Sequence, residues 1–308
     1  MYFQLGINDA QWHNVNQWPS PLYSDKDNNT MIIRATIIFI ALLSSAAQAN
    51  EQGENISLTM TESGLLWDKQ IQLQATLYKP DGKGPFPLVI FNHGSTGPGQ
   101  IPASLTINPW QFGRYLKQQN IALLVPMRRG RGGSQGSYKE SYNCSVNSVE
   151  AGINYASQSL DATMHYVQQQ TWIDQDQIVI AGHSRGGLLS VLYAAKHPQW
   201  FKGVLNFSGG WMAEQCQITS PTASNLGLFT KAAHNNPLPH LFLYAHNDPY
   251  YSDATITSYV QSFKQAGGQV DFQFYSLGSS ADGHALFHEY GEFWINDVKR
   301  YLQQLGLI

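Results

Sequence analysis

The chain has 308 residues, of which 43% are hydrophobic, 12% aromatic and only 13% charged, with a formal net charge of −3. That charge share is about half the roughly 25% usual in globular proteins, which excludes a highly charged disordered chain. With 18 Lys and Arg against 21 Asp and Glu there is no basic excess to collect on nucleic acid, and two cysteines are too few for a disulfide-built scaffold or an all-cysteine zinc site.

Residues 1–30 are polar and turn-rich, with Asn8, Asp9, Pro19, Pro21, Asp25 and Asn28 and no apolar period, so no fold is expected there. They read as a non-native or over-extended N-terminal segment. Met31-Ile32-Ile33-Arg34 then leads into the apolar run 35–43, which ends in the small-residue site Ala47-Gln48-Ala49. A basic start, an apolar core and a small-x-small end are the layout of a secretory signal peptide. The expectation is translation from Met31, cleavage after Ala49 and a single domain over 50–308 in the periplasm or outside the cell. The uncharged stretch 35–49 is shorter than the roughly 18 residues a membrane span needs, so no stable anchor is expected after cleavage. Export would put Cys144 and Cys216 in an oxidising compartment, where they are candidates for a disulfide.

From residue 50 the elements follow in order. Segments 56–60 and 71–78 alternate apolar and polar, which predicts half-exposed antiparallel strands. Segments 88–91, 121–125, 178–181 and 204–207 are short, nearly continuous apolar runs, and 241–244 and 270–274 follow the same scheme less cleanly. Such runs predict strands buried on both faces of a parallel sheet. Helix-length segments lie between them at 110–119, 148–169, 187–195, 254–265 and 289–305. The alternation predicts an α/β fold with right-handed crossovers and a ligand site beyond the C-terminal strand ends. Segment 211–239 is long and rich in Ser, Thr, Ala and Asn, and is a candidate lid.

The pattern G-x-S-x-G occurs twice, at Gly132-Gly133-Ser134-Gln135-Gly136 and at Gly182-His183-Ser184-Arg185-Gly186. Only Ser184 stands between a predicted strand and a predicted helix, the context in which the motif makes a nucleophile elbow. Ser134 follows Arg128-Arg129-Gly130-Arg131, too glycine-rich to open a helix, and reads as a loop serine. A serine needs a base, and the base an orienting acid, in chain order Ser, Asp or Glu, His. Asp248 closes the predicted strand 241–244 ahead of Pro249, with Asp253 and Asp282 as fallback acids. His284 lies in a loop before the last helix, with His288 as its rival; His183 and His246 read as packing or local hydrogen-bonding residues. Oxyanion donors are expected from the backbone N–H of Arg185 and, after the run Asn92-His93-Gly94, from that of Ser95. Arg128, Arg129 and Arg131 either brace loops or contact an anionic substrate. Tyr250 and Tyr251 either line or cover the pocket.

These motifs, together with Arg129-Gly130-Arg131-Gly132-Gly133-Ser134, Asn247-Asp248-Pro249 and Gly283-His284-Ala285, resemble the α/β-hydrolase superfamily over about residues 60–305. Within it the chain is similar to dienelactone-hydrolase-like and prolyl-oligopeptidase-related esterases. The resemblance implies a mostly parallel central sheet with antiparallel N-terminal strands, a Ser184–Asp248–His284 triad and an enzyme without cofactor or metal. True dienelactone hydrolases use a cysteine where this elbow has Ser184. The expected activity is serine-dependent cleavage of a small carboxylic ester, with a small peptidase or amidase as the alternative and a non-catalytic binding domain as the remote one. The expected partners are a small ester or short peptide, with no nucleic acid.

Overall fold

The computed structural model describes residues 53–64, 67–97, 99, 101–140, 144–216 and 222–308. The N-terminal segment and the signal-like segment, residues 1–49, lie outside the described residues. Among the described residues, no helix is long and apolar enough to cross a membrane.

Eight strands form one sheet in the order β1-β2-β4-β3-β5-β6-β7-β8. They are β1 (Glu54–Glu62), β2 (Lys69–Tyr78), β3 (Phe86–Asn92), β4 (Ala122–Pro126), β5 (Ile173–His183), β6 (Gly203–Phe207), β7 (Pro239–Ala245) and β8 (Gln269–Tyr275). β1 pairs antiparallel with β2, and β2 antiparallel with β4; every pairing from β4 to β8 is parallel. The expected mostly parallel sheet with antiparallel N-terminal strands is therefore the fold the chain adopts.

The continuous apolar runs are explained by the period of two in a strand, since neighbouring residues must find apolar cover on opposite faces. In β3, Leu88 and Ile90 enter one core while Val89 and Phe91 enter the other. In β7, Phe242 and Tyr244 join the first core, and Leu241, Leu243 and Ala245 the second. The first core is closed by helices α2 (Val146–Gln168), α3 (Arg185–Lys196), α4 (Asn225–Ala233) and α5 (Asp253–Gln265). The second is closed by α1 (Trp110–Gln118), α6 (Leu286–Glu289) and α7 (Gly291–Gln304), with Phe112, Phe287 and Trp294 packed edge-to-face or stacked around Phe91 and Phe207.

The structure departs from the expected elements in three places. β5 starts at Ile173, five residues early, because the polar run Asp174–Gln177 precedes its buried part. The helix expected over 289–305 runs from Gly291 to Gln304 as α7, and a separate short helix, α6, precedes it, with Tyr290 between them at a non-helical φ of −126°. Most consequential, the candidate lid 211–239 contains α4, whose Leu228, Phe229, Ala232 and Ala233 are buried in the first core. This helix belongs to the layer over the sheet and is not a cap over the strand ends. Its start is set by Ser224, whose side chain accepts from Gly227 N.

Candidate functional site

The C-terminal ends of the parallel strands carry a cleft of about 280 Å³, whose lining includes Gly94, Ser95, Ser184, Arg185, His284 and Tyr250. At the end of β5, Ser184 has φ 54° and ψ −123°, a backbone conformation that a side-chain-bearing residue rarely holds and that costs on the order of 1–3 kcal/mol. The turn is held by Ser184 N donating to Phe207 O at 2.9 Å and Gly210 N donating to Ser184 O at 3.1 Å. Its glycines are dictated by space. A Cβ on Gly186 would lie 2.0 Å from Asn92 O, and one on Gly182 would lie 2.3 Å from Gly186 O. The serine is thereby set at the N-terminus of α3, where the helix dipole favours negative charge.

Asp248 sits in the turn between β7 and α5. Its Oδ1 accepts from Tyr250 N at 2.8 Å and Tyr251 N at 3.2 Å, and its Oδ2 accepts from His284 Nδ1 at 2.8 Å. The carboxylate is fully buried and the His284 side chain is 12% exposed. His284 itself rides on a 3-10 turn (Gly283–Ala285) after β8, capped by Asp282, whose side chain accepts from His284 N at 2.8 Å. With Nδ1 donating to Asp248, the acceptor nitrogen Nε2 is left for the cleft. The structure therefore brings Asp248 and His284 together, and sets His284 and Ser184 in one cleft with no hydrogen bond between the two side chains among the described residues. Serine–histidine contacts commonly tighten only when substrate arrives.

The rivals sit elsewhere. Asp282 caps the turn of His284, and Asp253 pairs with His246 Nδ1 at 2.8 Å. His288 lines the same cleft from α6, its ring 4.8 Å from that of His183. His183 is buried; its Nε2 donates to His284 O at 2.9 Å, and burial, followed by the nearby His284 and His288, pushes its imidazole well below the usual histidine range. Ser134 is buried far from any such arrangement, with Oγ donating to Met127 O at 2.6 Å and accepting from Gln74 N at 2.9 Å. It ties a loop to β2, which accounts for the second G-x-S-x-G match.

The three arginines brace loops. Arg128 forms a two-pronged pair with Glu140, at 2.7 and 2.9 Å, and both side chains are almost fully buried. Arg129 holds Glu62 and Gln158 and lies over the Tyr155 ring. Arg131 reaches Thr96, Gly97 and Gly99. The side chain of Arg185 is a residue the sequence reading missed. It donates to Trp211 O at 3.0 Å, Tyr138 Oη at 3.1 Å and Glu140 O at 3.2 Å, joining the elbow to both flanking loops. No spacing in the sequence signals these contacts. A disulfide joins Cys144 to Cys216 across 72 positions. Among the described residues, no group of three or more His, Cys, Asp or Glu could hold a metal ion.

Comparisons with known proteins agree with this architecture. Residues 114–215 match the profile of the prolyl oligopeptidase family. NocK of Nocardia uniformis subsp. tsuyamanensis, named as an esterase, is 32% identical over 77 residues, which is 25% of this chain and only 18% of that protein. Among solved structures, Est1E of Butyrivibrio proteoclasticus with ferulic acid bound has a TM-score of 0.56 at 17% identity, covering 76% of this chain and 96% of that one. The Pyrococcus furiosus esterase Pf2001 also has a TM-score of 0.56, at 13% identity, covering 83% of this chain and 92% of that one. The chain has the α/β-hydrolase fold, and its segment 114–215 is similar to the prolyl oligopeptidase family.

Proposed function

We propose that the chain is a serine hydrolase that cleaves small carboxylic esters through an acyl-enzyme on Ser184. The observation that carries this reading is the buried Asp248–His284 pair opening onto the cleft that also holds the strained Ser184. In the proposed reaction, Ser184 Oγ attacks the ester carbonyl while His284 Nε2 takes its proton. Asp248 fixes the tautomer and stabilises the imidazolium. The N–H groups of Ser95 and Arg185 receive the oxyanion. His284 returns the proton to the leaving alcohol, and a water activated the same way releases the acid.

The ester reading is supported by the similarity to NocK and to the Est1E fold, and by a cleft of about 280 Å³, suited to a small substrate. Amide or peptide cleavage is the second reading, favoured by the family match over residues 114–215. The aromatic residues Trp211, Tyr250 and Tyr251 on the cleft wall make aryl esters worth including among the substrates. We place the enzyme in the periplasm or outside the cell, on the signal-like segment 31–49 and the Cys144–Cys216 disulfide.

Short-chain p-nitrophenyl esters, feruloyl esters and the matching amides test the reading together. Wild type should turn over the esters, and Ser184→Ala should abolish both turnover and labelling by a fluorophosphonate. Undiminished activity in that variant refutes the assignment. Mass spectrometry of the exported protein should find Asn50 at its N-terminus.

A further inference from the structure

The carbonyl groups of His93, Gly94, Gly97 and Gly99, on the loop that leaves β3, each accept from an arginine. Arg128 Nη1 donates to His93 O at 2.7 Å and Nη2 to Gly94 O at 3.3 Å. Gly94 O accepts a second bond from His93 Nδ1 at 2.8 Å, while His93 Nε2 accepts from Arg128 N at 3.1 Å. These contacts define one tautomer of a neutral imidazole. Burial, with Arg128 adding to it, holds His93 well below the usual histidine range, so the ring stays neutral and the arrangement persists.

The consequence lies on the other side of the peptide plane. In a trans peptide the C=O and the N–H that follows it point in opposite directions. Pinning His93 O and Gly94 O on the Arg128 side therefore turns Gly94 N–H and Ser95 N–H the opposite way. Neither N–H has a hydrogen-bond partner among the described residues, and both residues line the cleft. Gly94 is close enough to the elbow that an added Cβ would lie 3.2 Å from Ser184 Cβ. Two unpaired donors thus lie beside the proposed nucleophile, aimed by a side chain from the loop that follows β4.

Arg128 is itself immobilised, since the planar fork of Nε and Nη2 matches the Glu140 carboxylate with both side chains at most 2% exposed. Desolvating such a pair costs as much as it returns, so it is weak ground for a role in stability alone. Glu140 also accepts from Arg185 Nη1 through its backbone carbonyl, which links the assembly to the elbow. We propose that Arg128, held by Glu140, is a positioning residue that sets the direction of the Gly94 and Ser95 N–H groups, so that Gly94 N–H joins the Ser95 and Arg185 N–H groups in the oxyanion hole. This inference rests on the serine-hydrolase reading above.

The test compares wild type with Arg128→Lys, which keeps a charge for Glu140 but lacks the fork, and with the double variant Arg128→Met, Glu140→Leu, which replaces the pair by packing. Donors to the oxyanion act in the transition state, so kcat should fall by about 100-fold with KM nearly unchanged. Affinity for a trifluoromethyl ketone, which forms a tetrahedral oxyanion on the serine, should fall in parallel. In wild type, adding that ketone should move the Gly94 and Ser95 amide proton signals downfield, a readout that needs no variant to fold. The inference is overturned if folded variants keep kcat and ketone affinity within about twofold, if KM and kcat change together, or if those amide signals do not move. Failure of the underlying reading looks different: wild type would not cleave the ester, or Ser184→Ala would.

Discussion

His183 Nε2 donates to the backbone carbonyl of His284 at 2.9 Å, joining the residue before the elbow serine to the proposed base across 101 positions of chain. The side chain that precedes Ser184 thus buttresses the turn that carries His284. His183→Leu should lower kcat about tenfold with little change in KM, the loss expected from one buried hydrogen bond of roughly 1–1.5 kcal/mol. Steady-state kinetics on a p-nitrophenyl ester check this, and His183→Gln, which restores a donor, should recover part of the loss.

The Asp248 carboxylate accepts three hydrogen bonds, two from backbone N–H groups and one from His284. In Asp248→Asn the amide oxygen can satisfy the backbone, leaving the NH2 group to face Nδ1 and favouring the wrong tautomer. The fold should survive, with kcat lower by about 10⁴. Retention of more than a tenth of the activity, with unchanged circular dichroism, would point to another acid.

For Ser134 the prediction runs the other way. Ser134→Ala removes an acceptor from Gln74 N and a donor to Met127 O, so stability should drop by about 1–3 kcal/mol while kcat and KM stay at wild-type values. Urea unfolding beside ester kinetics separates the two effects.

Reducing the Cys144–Cys216 bridge frees a 72-residue separation in the unfolded chain, which the chain-entropy account values at about 4 kcal/mol. The double variant Cys144→Ala, Cys216→Ala should lose comparable stability in denaturant unfolding, and adding a reductant should then have no further effect.

Stability should also fall in mild acid. His240 is buried, which pushes its imidazole down to about 4 from the usual 6.5; Leu238 O and Gln269 O, both near Nδ1, oppose that shift. Its folded pKa lies below the unfolded one, so between these values the unfolded chain binds more protons, and stability declines as pH drops from about 6.5 toward 4. The difference corresponds to about 3 kcal/mol for this one group. His93 and His183 are shifted the same way and steepen the loss. Thermal melts across this range should show a shallower pH slope for His240→Leu than for wild type.

The elements that could be read from the sequence were those whose neighbours impose a strong pattern. Strands such as 88–91 and 178–181 must fill two cores at once, so their apolar runs are unbroken. Ser184 was legible because the space around Gly182 and Gly186 admits no side chain, leaving the motif in the chain itself. Helix α4 was not, because its leader is rich in Ser and Thr and only Leu228, Phe229, Ala232 and Ala233 carry a helical spacing. The Arg128–Glu140 pair and the Arg185 fork are invisible for a different reason. They join loops whose proximity is created by the sheet order, and no local period records it.

That sheet order has a consequence for how the protein is made. Ser184 follows β5, Asp248 follows β7 and His284 follows β8, the edge strand and the last in chain order among the described strands. The pairing of β8 onto β7, with α6 and α7 docked behind it, is what delivers His284 to Asp248. A nascent chain that has folded everything through β7 would hold the strained Ser184 and the buried Asp248 but not the proposed base. On the proposed reading, reactivity therefore waits for the pairing of β8 onto β7.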